Sequence, residues 1–73
     1  MAGEISLEDQ IAEVDRELQF RERVYPRWVN SKQPRLTLAG AQIHMERMRA
    51  VRASLVDLQR QRDSGQRALL PGD

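Results

Sequence analysis

Leu7, Ile11, Val14 and Leu18 recur at spacings of four, three and four residues, and the same rhythm continued reaches Arg21 and Tyr25. A 3.6-residue period places all six on one side of an α-helix, and this stripe constrains the fold more than any other feature. Ser6 followed by Asp9 marks the start, because a hydroxyl can accept from an early backbone N–H and an acid three positions on suits the positive end of the helix dipole. Pro26 lacks an N–H and crowds the preceding turn, so the sequence predicts a helix over residues 7–24 that ends or kinks there.

The polar stretch Asn30 to Pro34 reads as a connection, giving a short turn around residues 26–36. Thr37 then offers an N-cap for a second helix over residues 38–63, with Ser64-Gly65 as its stop. Ala41, Met45, Met48, Val51, Leu55 and Leu58 are expected to form its apolar seam. Nothing alternates with period two, so strands are not expected. The fold class is therefore all-α: an antiparallel two-helix hairpin of residues 1–64, with residues 65–73 as a tail that is either loose or docked on a neighbour.

At 73 residues a lone core is marginal, and the usual staples are missing. No cysteine excludes disulfides, and one histidine leaves too few ligands for a structural zinc site, so neither metal nor cofactor is expected. Oligomerisation is the staple left, and the hairpin is expected to pack into a homo-oligomeric bundle. Charge is divided in a way that favours this. Residues 1–20 carry six acids against Arg16, whereas residues 21–62 carry nine arginines and Lys32 against three acids, so the two parts attract within a chain or between copies. No apolar run approaches a membrane span, and the N-terminus lacks signal-peptide features, so the expected location is the cytoplasm.

Two clusters are candidates for binding. Phe20 and Val24 lie roughly 140° and 100° from the centre of the first stripe, so a two-helix hairpin leaves them uncovered. Arg16, Arg23 and Arg27 flank Phe20, which suits either stacking on a base with phosphate pairing or a helix contact between copies, with Arg16 held by Glu13. The run Val24-Tyr25-Pro26-Arg27-Trp28-Val29 gathers the only tyrosine and the only tryptophan. It reads either as a binding hot spot or as a plug, with Tyr25 on the seam and Trp28 capping the core. For a nucleotide ligand the candidate residues are Arg23, Arg27, Tyr25 and Trp28.

The other arginines of the second helix scatter around its wheel, which places nucleic acid behind a small ligand or protein as partner. Arg52 falls on the seam and must snorkel, line a polar pocket between hairpins, or pair with an acid such as Glu17 or Asp15. His44, at the seam edge, is expected to be partly buried and hydrogen-bonded, since it has no partner for general-base work. No catalytic or phosphate-loop motif is present, and an enzyme is not expected.

The stretch Arg21-Glu22-Arg23-Val24-Tyr25-Pro26-Arg27-Trp28-Val29, then Leu36-Thr37 and Ala41-Gln42-Ile43 with Met45 and Met48, resembles small phage- and prophage-encoded helical proteins of unassigned function that carry a Val-Tyr-Pro-x-Trp-Val run. The resemblance covers residues 7–58 at most and departs at Ser31-Lys32-Gln33-Pro34, where those proteins have a glycine turn. It implies an accessory protein acting by binding, with anti-defence work among its settings: self-associating and taking an anionic ligand such as a nucleotide signal, docking on a host protein or nucleic acid, or serving as a structural hairpin of a phage assembly.

Overall fold

The computed structural model describes residues 4–68, which form two antiparallel α-helices, α1 (Leu7–Val29) and α2 (Leu38–Ala68). Both start where the capping residues place them. Ser6 Oγ accepts from the Asp9 N–H at 3.0 Å, and Thr37 Oγ1 accepts from the Gly40 N–H at 3.0 Å. Each hydroxyl satisfies a donor that has no partner within its helix.

Both helices outrun their predicted ends. Pro26 stands inside α1, which continues to Val29 and is closed by the Asn30 N–H donating to the Pro26 carbonyl at 3.0 Å. A proline removes only the bond from its own nitrogen, here to the Glu22 carbonyl, and close to a helix end that single loss does not stop the chain when later residues have surfaces to pack. Tyr25, Trp28 and Val29 are all half-buried and supply that packing. Likewise α2 runs through Ser64 and Gly65 to Ala68, so those two residues do not terminate it. Glycine permits a left-handed stop without imposing one. The other residues of the expected tail, 69–73, lie outside the described residues.

The seam of α1 is as its periodicity indicates, with Leu7, Ile11, Val14, Leu18, Arg21 and Tyr25 all half-buried. The seam of α2 differs from expectation. Ala41, Met45, Met48, Arg52, Leu55, Val56 and Gln59 turn inward, while Val51 and Leu58 are 46% and 50% exposed. The inward set repeats by four, three and four, which tracks one line on a helix. The choice of Val51 and Leu58 followed hydrophobicity and drifted about 80–100° off that line. Polar Arg52 and Gln59 hold seam positions because their heads reach carboxylates on α1.

The hairpin is a rod of 63 × 26 × 14 Å. Its 14 Å depth is a single layer of helices, which are about 10–12 Å across. The radius of gyration, 17.6 Å, far exceeds the ~11 Å of a compact chain of this length. One residue among those described, Ala41, is buried. No helix among the described residues is long and apolar enough to cross a membrane.

Candidate functional site

Polar contacts tie the two helices along their length. At the open end, Arg62 donates to Glu8 at 2.6 Å and Gln59 donates to the same carboxylate at 3.3 Å. The Arg62 guanidinium is the main reason that the Glu8 carboxyl falls from its ordinary 4.5 to about 2. In the middle, Arg52 Nε pairs with Asp15, which raises the arginine's own pKa. Of the two acids offered for Arg52, Asp15 takes it and Glu17 pairs with Arg21 at 2.9 Å. Arg21 also donates to the His44 carbonyl at 2.9 Å and lies 5.8 Å from the centre of the Tyr25 ring. His44 itself is exposed, contrary to expectation, because it lies on the α2 flank turned away from the seam. Its backbone, and not its imidazole, makes the bond to Arg21.

The four proposed ligand residues divide between two surfaces. Tyr25 faces α2 and, with Pro26, Val29, Leu38, Ala41 and Met45, lines an open groove of about 670 Å³ near the bend. Glu22, Glu46 and Arg49 stand at this groove, so its charge is mixed. Arg23 and Arg27 instead project from the opposite, exposed side of α1. Because α1 continues past Pro26, Arg27 stays in phase with Arg16 and Arg23, and at 100° per residue the three fall within about 40° of one another. Neither Arg23 nor Arg27 has an ion-pair partner among the described residues, whereas Arg16 is 3.6 Å from Glu13, as anticipated.

Phe20 stands beside this arginine ridge, 41% exposed, and with Arg16 and Arg23 borders a shallow depression on α1. Its ring meets Trp28 edge to face at 6.3 Å, and Trp28 lies 5.7 Å from Tyr25. The three aromatics thus run from the ridge around α1 to the groove. Trp28 and Val24 are half-buried, and Trp28 packs beside the seam residue Tyr25. Sequence reading missed the groove, since it ended the first helix before Val29 and began the second seam after Leu38. It also missed the double role of Arg21, for which the Glu17–Arg21 spacing of four was the available signal.

Among the described residues no group of three or more histidines, cysteines or acids is placed to hold a metal ion. Comparison with known protein families, with curated proteins and with solved structures finds no match for this chain.

Proposed function

We propose that the protein is a non-enzymatic binding module that self-associates and takes an anionic ligand, of the nucleotide class, on the outer ridge of α1. The observation that carries this reading is the unbroken course of α1 through Pro26, which aligns Arg16, Arg23 and Arg27 around Phe20 on the exposed side of the hairpin. Guanidinium groups pair with phosphate oxygens through charge-assisted hydrogen bonds, and an aromatic ring beside them gives a base a surface to stack on. Trp28 braces Phe20, and Tyr25, on the groove side, supports Trp28 in turn. The phage resemblance supplies the setting, an accessory protein acting in a host cytoplasm, with anti-defence work as its clearest use.

Calorimetric titration with cyclic di- and trinucleotides tests the ligand. Binding is expected, with a loss of about 10- to 100-fold in each of the single variants Arg23→Ala and Arg27→Ala, from ~1.5–3 kcal/mol per hydrogen bond to a charged group. Absence of heat and of any thermal shift at millimolar ligand overturns the nucleotide reading. A second reading, contact with host nucleic acid, draws on exposed Lys32 and Arg35, which extend the positive charge into the connection. It predicts affinity falling steeply with salt.

A further inference from the structure

We propose that the protein pairs with a second copy of itself, the two rods lying face to face and antiparallel about a two-fold axis that crosses the middle of α2. This rests on the self-association proposed above and specifies its face and direction. The open groove occupies one face of the rod, lined by residues turned one way from the seam on both helices. Residues turned about 20–100° the other way share the opposite face: Val24 and Trp28 on α1, and Met48, Val51, Leu55 and Leu58 on α2. Gln10, Glu17, His44 and Arg62 share this face, and in a rod one helix deep no second layer covers the apolar residues between them.

Two features point to a copy of this chain as the occupant. The α2 stripe is spaced by three, four and three residues, a pattern that reads the same in both directions. A reversed copy centred near residue 53, the midpoint of Leu38–Ala68, sets Met48 opposite Leu58 and Val51 opposite Leu55, as an isologous contact requires. Charge selects the same direction. The bend half of the rod, residues 21–49, carries seven cations against Glu22 and Glu46, a net +5. The open half, residues 4–20 with 50–65, carries eight acids against four arginines, a net −4. Antiparallel pairing lays each bend half over an open half, and parallel pairing lays like over like.

The chain has no cysteine, so Ala39→Cys, at the exposed start of α2, accepts a single spin label. In the antiparallel dimer the two labels sit about 14 residues on either side of the axis, some ~42 Å apart at 1.5 Å per residue. In a parallel dimer they share one end and fall within the 26 Å breadth of a hairpin. Pulsed electron resonance giving about 40 Å supports the proposal. A separation under about 25 Å in a chain that sediments as a dimer overturns the direction while leaving self-association standing. Sedimentation as a monomer at 100 µM overturns both. Val51→Asp, at a position half exposed within the hairpin, is expected to retain helical circular dichroism and to sediment as a monomer; a persistent dimer overturns the assigned face.

Discussion

Pro26→Ala puts the course of α1 to a quantitative test. In Leu7–Val29 the nitrogen of residue 26 faces the Glu22 carbonyl, so proline leaves that acceptor without its backbone donor, and alanine restores the bond. Such a bond contributes about 0.5–1.5 kcal/mol net, and the full alanine-for-proline preference in a helix interior is about 3 kcal/mol. Residue 26 is in the last turn, where the Asn30 N–H to Pro26 carbonyl bond already closes the helix, so the gain falls below that limit. Greater freedom of the unfolded chain offsets about 0.4–1 kcal/mol of a gain reckoned from the bond alone. The bond alone then leaves roughly 0–1 kcal/mol, relief of the ring's clash with the Glu22 carbonyl adds to it, and the expected outcome is a stabilisation between about 1 kcal/mol and the ~3 kcal/mol limit. Urea unfolding followed at 222 nm measures it, at fixed protein concentration because the proposed self-association would make stability depend on concentration. An unchanged or lower midpoint refutes the reasoning, since it means that Pro26 shapes the bend and is not merely tolerated there.

Further expectations concern single contacts. Gly65→Ala is expected to stabilise α2 by about 0.5–1 kcal/mol, because nothing lies within 4 Å of the added methyl. Gly40→Ala is expected to gain less or to lose stability, since its Cβ would stand 3.0 Å from the capping hydroxyl of Thr37; thermal melts of the two variants decide the comparison. The lowered Glu8 pKa makes its contribution fully present above about 4.5 and lost as pH falls toward 2; Glu8→Gln is expected to flatten stability measured by denaturant across that window. A double-mutant cycle on Asp15 and Arg52 is expected to give only weak coupling, because both side chains are roughly two-fifths exposed and solvent screens them. Strong coupling that persists at high salt means that the pair is desolvated, as burial between copies would make it.

Local chemistry in the sequence was enough to specify the two helices, their starts and the stripe of α1. Ser6 and Thr37 act through hydroxyls only three residues from the donors they satisfy, and the stripe repeats at the period of the helix itself. The polar connection, the antiparallel pairing and the placement of Arg52 beside an α1 acid followed from the same short-range reading. The wheel also placed Phe20 off the seam and Arg16 beside Glu13.

What required the tertiary structure was every choice between a local preference and a contact distant in sequence. Pro26 and Gly65 weaken a helix locally, yet both lie within one, because a single lost bond or a permissive residue does not outweigh the continuing helix. Gln59 holds a seam position in place of Leu58 because Glu8, 51 residues away, supplies a partner that no pattern within α2 reveals, and Val51 stands outside the seam beside Arg52. The same displacement left an uncovered apolar stripe, and the extension of α1 aligned the arginine ridge. Periodicity is a property of one helix, whereas the identity of an exposed face depends on what the other helix already holds.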